Sequence, residues 1–455
     1  MLLAILACLF ALQLYAFHWG VITPDTVFQW GQALTGHYDD WHPPATTWLW
    51  RQLEPLGSGT APILVFDALL YWIGIWLIAD TLRRRKHTWA MACVILCAAL
   101  PIPFGQMGAI LKDPLLTACC LTSAGLLFAS GDWSLSWRRI AGMAALAILI
   151  FASATRFNAV FATAPLLAAW MPDRWTRNPW TIVLAIAGAA LTLGAAGWAI
   201  NNIAIRPHHS RPIFSLANFD LAGIVAHGGK NVYPNFDDET ARRLTLLCYD
   251  PGQYNPTYLE RCDSVEEDLV RHAAVHGQSA ATILWNGIKA SPFAYLKHRF
   301  AHLNRNWRFW VSGVPDDAVY VMTTENPYGL GFRENGATRL IARGAQLMAI
   351  SPLGRPATWM AVALGLLLVG SNLRSRRFVM GVSCSVIFYG CAYAIVSVAP
   401  DLRYNFWTML GAMMALVVTC TEYGRVSILS GRRLWSAFAP GILTVVAELI
   451  ALATG

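Results

Sequence analysis

Charge is what this chain has least of: 13% of its 455 residues are Asp, Glu, Lys or Arg, against about 25% in a water-soluble domain. That shortage excludes a single soluble globular fold. A hydrophobic share of 56% and a mean hydropathy of +0.44 exclude a disordered or fibrous chain as well. Phosphate-cradling strings are also missing, since no G-x-G-x-x-G or P-loop stands beside a strand–helix unit. Ten cysteines form no metal-type C-x-x-C pair. Cys93, Cys97, Cys119, Cys120, Cys384 and Cys391 lie inside apolar segments and read as small buried hydrophobes. There is no internal repeat, low-complexity tract or inverted half-to-half symmetry, which disfavours a secondary transporter. The net charge of +8 would suggest nucleic acid only if it clustered on a soluble face, and here many of the basic residues sit in short loops between apolar runs.

What is abundant is apolar sequence. Runs long enough, or nearly so, to cross about 30 Å of hydrocarbon occur near 1–22, 62–81, 88–104, 112–130, 140–156, 158–171, 180–203, 356–370, 379–399, 404–421 and 434–453, about eleven spans. The first lacks a basic leader and a clean small-residue cleavage site, so it is expected to be a retained span. With alternating spans, RRRK at 83–86, RR at 138–139, Arg174 and Arg177, RSRR from Arg374, and Arg425 with Arg432 and Arg433 all fall on one side. The positive-inside rule makes that side the cytoplasm. The opposite side receives the loop at 23–61, the turns at Lys112 and Arg156, the long segment 204–355 and the turn from Asp401 to Arg403.

The long outer segment is richer in charge, Pro, Asn and Tyr and carries helix signals. SVEE at 264–267 has the form of a capping box between Ser264 and Glu267. The acidic groups at 237–239 and 266–268 read as solvated helix starts. Cys248 and Cys262 form the one cysteine pair in a polar segment, on an oxidising side of the membrane, and are a disulfide candidate; two free thiols are the other reading.

The stretch PDTVFQWGQALTGHYDDWHPP, residues 24–44, concentrates polar chemistry directly after the first run. Asp25 stands at the membrane boundary, where low dielectric is expected to raise its pKa and suit it to act as a base. Gln29, Gln32, Tyr38, Asp39, Asp40, Trp41 and His42 add amides, carboxylates, rings and an imidazole, a set suited to holding a sugar by hydrogen bonds and stacking. Pro43 and Pro44 stiffen the approach to the next helix. An aromatic belt at the headgroup level is the alternative role for the rings. Three lone cations, Lys112, Arg156 and Arg403, end spans on the side where short loops should be poor in Lys and Arg. At one depth they invite a shared anion such as a lipid phosphate, or else pair locally as Lys112 with Asp113 and Arg403 with Asp401. Adjacent His208 and His209 read as plain loop residues.

With these elements in place the chain resembles the membrane-embedded glycosyltransferases of the GT-C class, particularly bacterial relatives of protein mannosyltransferases and aminoarabinose transferases. The residues carrying this are Asp25 leading into GHYDDWHPP, the KDPLLT turn opening the fourth run, and the Arg403–Tyr404 pair at a late outer turn. It covers roughly residues 1–205 and 356–421, and more loosely SPFAYLKHRF at 291–300. The resemblance implies an all-α polytopic membrane protein, a bundle of about eleven transmembrane helices with a mainly helical periplasmic domain. It divides into 1–205, bearing the catalytic loop 23–61, then 206–355, then 356–455. It implies transfer of a sugar from a polyprenyl-phosphate donor to a lipid, glycan or protein acceptor on the periplasmic face of a bacterial inner membrane. Asp25 takes the catalytic position, with Asp39 or Asp40 supplying the second acid that the Asp25–Thr26 sequence lacks. Lys112, Arg156, Arg403 and Tyr404 take donor-phosphate positions, and Gln29, Tyr38, Trp41 and His42 face substrate. No cofactor is certain, and a divalent metal is left open. An O-antigen ligase or polymerase and a lipid-linked sugar flippase are the competing readings, the latter needing broken helices at mid-membrane.

Overall fold

The computed structural model describes residues 1–172, 175, 178–252, 262–313, 317–426 and 431–454, excepting the side chains of 263, 264, 432 and 433. Arg174, Arg177 and the side chains of Ser264, Arg432 and Arg433 therefore lie outside the described residues. The protein is an all-α polytopic membrane protein. Among the described residues there is no strand, only isolated bridges. Among the described residues six helices are long and apolar enough to cross a membrane: Ala61–Arg84, Lys112–Ser130, Leu135–Thr155, Pro179–Ile205, Arg376–Val396 and Leu434–Thr454. The remaining runs are helical but shorter, as Leu2–Ala16, Thr88–Ala99, Ala159–Ala169, Pro356–Gly370 and Phe406–Cys420. Local chemistry breaks them. Leu100 is extended ahead of Pro101, so the run at 88–104 splits into Thr88–Ala99 and Pro101–Gln106.

Lys112–Ser130 is the axial helix, buried along almost its whole length. Ala61–Arg84 packs so closely on it that glycine is required at the crossing. A Cβ on Gly74 would lie 2.9 Å from the Thr122 backbone nitrogen, and one on Gly125 would lie 2.9 Å from the Gly74 carbonyl oxygen. Thr122 Oγ1 donates to the Leu70 carbonyl at 2.7 Å in the same seam. The first helix is tied in by a buried polar relay in place of charge. Gln13 donates to the Phe104 carbonyl and accepts from the Trp72 indole, both at 2.9 Å.

One core cluster runs from Leu2 to Ala437 and takes in Ala318, Val319, Phe332, Ala345 and Met348 from the long segment between the two membrane blocks. A second is confined to residues 214–283, built on Phe214, Leu221, Ala241, Leu269 and Ile283. It joins helices Ile213–Ala226, Asp238–Cys248, Asp263–Val275 and Ala280–Ala290. Cys248 and Cys262 are joined in a disulfide there, with a Cα–Cα separation of 6.0 Å. Asp237 caps the second of these helices through Thr240 N at 2.7 Å. The capping box expected at Ser264 is not the start of its helix, which begins one residue earlier at Asp263 with Cys262 as cap. Cys119 and Cys120 are buried as expected, whereas Cys391 is exposed on the protein surface.

Candidate active site

The segment read as the first outer loop is largely helical, as Pro24–Thr35 and Ala45–Leu53. Thr23 is the reason the first of these begins where it does. Its hydroxyl accepts from Thr26 N while the Thr26 hydroxyl accepts from Thr23 N, and Pro24 fills the first turn. Asp25 is therefore not the end of a span but the first turn of a short helix, where the helix dipole favours a carboxylate. The extended segment leading into this helix is pinned on both sides. Val21 N donates to the Gly108 carbonyl at 2.9 Å, and Thr324 N donates to the Ile22 carbonyl at 2.8 Å. Thr26 Oγ1 then donates to the Ile110 carbonyl at 3.2 Å. That tether holds Asp25 beside the residue two places further on, Lys112.

Four distant segments converge at this point. Asp25 Oδ1 lies 3.5 Å from His42 Nε2, and its Oδ2 accepts from both terminal nitrogens of Arg403 at 3.3 Å. His42 Nδ1 lies 2.6 Å from Lys112 Nζ. A protonated lysine donates there, a contact that suits the neutral His42 tautomer with its Nε2–H turned to Asp25. Arg403 Nε donates to Asp401 at 2.8 Å and lies 4.0 Å from Asp113 Oδ2. Asp113, 2% exposed, is ion-paired with Arg156 through Oδ1. The local pairing of Lys112 with Asp113 is thus replaced by a longer-range exchange of partners, while Arg403 does pair with Asp401. Both arginines lie over the Tyr404 ring, at 4.6 Å for Arg156 and 5.2 Å for Arg403. Tyr393 stacks on Tyr404 at 5.7 Å and donates its hydroxyl to the Tyr404 carbonyl at 3.0 Å, fixing the turn. Tyr320 also lies beneath Arg403, with its ring centroid 5.6 Å from the guanidinium, in a stretch that carries no recognisable motif.

Electrostatics correct one expectation. Burial on its own would lift the Asp25 carboxyl, but the hydrogen bond with His42 and the charges of Arg403 and Lys112 outweigh it. They hold its pKa well below the usual carboxylate range. The His42 imidazole is pushed down from its ordinary value by burial and by the Lys112 charge. With His42 neutral, three cations face three carboxylates.

The other expected residues divide. Gln29 lies one turn beyond Asp25, is buried, and its amide nitrogen has no hydrogen-bond partner. Phe28 meets the His42 ring edge-on at 6.2 Å. Asp39 accepts from Trp41 N at 2.9 Å, and its own N donates to Gln32 Oε1. The Tyr38 carbonyl accepts from His208 N at 2.8 Å. Asp40 accepts from Ser210 N, Ser210 Oγ and Arg211 N, and its Oδ2 lies 2.8 Å from His209 Nδ1. Asp39 and Asp40 are therefore engaged in tying the first outer segment to residues 208–211, and none of their described contacts reaches Asp25. Among the described residues no group of three or more His, Cys, Asp or Glu side chains is arranged to hold a metal. The donor set at Asp25 does not suit one, since the carboxylate is flanked by cations and the neighbouring acids are taken up by arginines.

No protein-family model and no curated protein sequence matches the chain. Among solved structures it is similar to ArnT from Cupriavidus metallidurans bound to undecaprenyl phosphate, at 12% identity and a TM-score of 0.34, covering 99% of this chain and 88% of that one. It is also similar to the Archaeoglobus fulgidus oligosaccharyltransferase tethered with an acceptor peptide containing the NVT sequon, at 14% identity and a TM-score of 0.31, covering 99% of this chain and 55% of that one. Both are glycosyltransferases of the GT-C class. The human organic anion transporter MFSD10 matches at 12% identity and a TM-score of 0.13, with coverages of 98% and 95%.

Proposed function

We propose that the protein is a membrane glycosyltransferase that moves a sugar from a polyprenyl-phosphate donor to an acceptor hydroxyl at the Asp25 cluster, on the periplasmic face of an inner membrane. The observation that carries this reading is the meeting of Asp25, His42, Lys112, Arg156 and Arg403, far apart in sequence, at one end of the axial helix. Inverting transfer needs a base for the acceptor proton and cations for the departing phosphate as the anomeric carbon becomes cationic. Asp25, kept ionised by its neighbours, supplies the first, and Lys112, Arg156 and Arg403 the second. Gln29 offers an unused donor one turn away for a substrate hydroxyl.

The charge balance says what donor binding must do. Three cations already neutralise three carboxylates, so an entering phosphate competes with Asp25 and Asp401 for Arg403. Releasing Asp25 from Arg403 raises its basicity at the moment the donor is seated. A donor-first order of binding follows. Titrating the purified protein in nanodiscs with polyprenyl phosphate tests the reading: saturable binding is expected, weakened about tenfold or more in Lys112→Gln and in Arg403→Ala. Absent binding, or equal binding by all three proteins, would overturn it.

A further inference from the structure

The arginine clusters that orient the chain do more than mark a side. Arg85, Arg138, Arg374, Arg377 and Arg425, from four separate connections, line one cavity of about 830 Å³ together with His87. Its floor is aromatic: Phe128 and Phe378 lie with ring centroids 4.9 Å apart, and the Arg85 guanidinium sits 4.5 Å over Phe128. The cavity is at the Gly131 end of the axial helix, and the Asp25 cluster is at its Lys112 end. Nineteen helical residues separate them, about 28 Å at 1.5 Å per residue, so the two sites lie on opposite membrane faces. The positive-inside rule accounts for basic residues on this face, but not for their convergence around a cavity.

Two acids line the cavity, and both are spoken for. Asp132 accepts from Arg85 Nε and Nη2 at 2.9 and 3.0 Å. Glu422 accepts from the backbone nitrogens of Arg374 and Ser375 and from Ser375 Oγ, and its Oε2 lies 3.9 Å from Arg425. Both carboxylates thus serve to position the wall, on which five arginines stand against two acids. Forked guanidinium donors around a space of this size match a tetrahedral oxyanion, and the aromatic floor matches an organic group attached to it.

We propose that this cavity is a second binding site, for a phosphate group, separate from the Asp25 cluster. A phosphate arriving on a lipid headgroup and a free phosphate satisfy the same donors. The test uses the full chain purified into nanodiscs of phosphatidylcholine, with phosphatidic acid added as one probe and inorganic pyrophosphate as the other, binding being read by native mass spectrometry and by thermal shift. Expected is saturable binding of one equivalent of either probe. Arg138→Gln/Arg374→Gln should weaken it about tenfold or more. Arg138→Gln alone, on an exposed helix surface, should weaken it by a smaller factor and guards against misfolding of the double variant. Arg83→Gln/Arg139→Gln, which removes two arginines of the same face from outside the cavity, should leave it unchanged. Saturation by phosphatidic acid alone assigns the source as lipid; saturation by pyrophosphate assigns it as free phosphate. Equal losses in the cavity and control variants, or no saturable binding of either probe, would overturn the proposal.

Discussion

Arg403→Ala separates a catalytic cluster from a merely structural ion network. Arg403 is 11% exposed and contacts Asp25 at 3.3 Å and Asp401 at 2.8 Å, with Asp113 at 4.0 Å. Its loss leaves three carboxylates facing Lys112 and Arg156. Breaking a fully buried pair costs about 3–5 kcal/mol, but Asp25 and Asp401 are 28% and 23% exposed, so solvent screening should cut the stability loss to about 1–3 kcal/mol. Donor affinity should fall independently, by the ~1.5–3 kcal/mol of a charge-assisted hydrogen bond to phosphate, about 10- to 150-fold. Arg403→Lys should recover part of it, keeping the charge but losing the planar fork that now spans two aspartates. Asp401→Asn should lower the melting temperature while tightening donor binding or leaving it alone, since it removes a competitor for the guanidinium. The assay is a donor titration with melting curves on the three variants. If folded Arg403→Ala keeps the wild-type donor dependence, or if Asp401→Asn weakens the donor as much, Arg403 holds the fold and not the phosphate.

Further outcomes follow from the geometry. His42 has a depressed folded pKa, so the unfolded chain binds the extra proton first; stability from this site should be full above pH ~6.5 and fall as the pH drops below it, a slope in melting temperature that His42→Gln should flatten. Asp25, depressed below the usual carboxylate value, stays ionised to below pH ~4 and should add no slope between pH 5 and 8; a carboxylate titration in that window, removed by Asp25→Asn, would contradict the assignment. Cys248 and Cys262 should resist thiol labelling until reduced, and Cys248→Ser/Cys262→Ser should cost about 3 kcal/mol for a loop of this size. Gly125→Val should destabilise by at least ~1–3 kcal/mol, seen as loss of monodisperse protein, because its Cβ would meet the Gly74 carbonyl.

The helical architecture was legible because apolar runs of membrane length leave the backbone no partner but its own helix. The meeting of Lys112, Arg156 and Arg403 was legible too, since each stands at the end of an apolar run. Which partner each takes was not. Lys112 precedes Asp113 in sequence, yet at the helix start the acid turns to Arg156 and the lysine to His42. Such choices depend on how four segments meet, and sequence spacing carries no record of it. The Asp25 pKa was misjudged for the same reason: a boundary carboxylate alone is raised by desolvation, and only the convergence of three basic groups reverses the sign. The role of Asp40 was hidden because its partners lie about 170 residues away, as with Ser210. One signal was readable and passed over. The TPDT string around Thr23 announces a capped helix start, which would have moved Asp25 from a loop into a first turn.

The central claim is that Asp25 takes the acceptor proton while the basic residues around it carry the donor phosphate. It is tested most directly by single-turnover sugar transfer from a polyprenyl-phosphate donor with protein in nanodiscs, comparing wild type with Asp25→Asn. Asp25→Asn should bind polyprenyl phosphate at least as tightly as wild type, because a competing carboxylate is gone, yet transfer about 10²- to 10⁴-fold more slowly. Transfer at the wild-type rate by Asp25→Asn, with donor binding intact, would contradict the account.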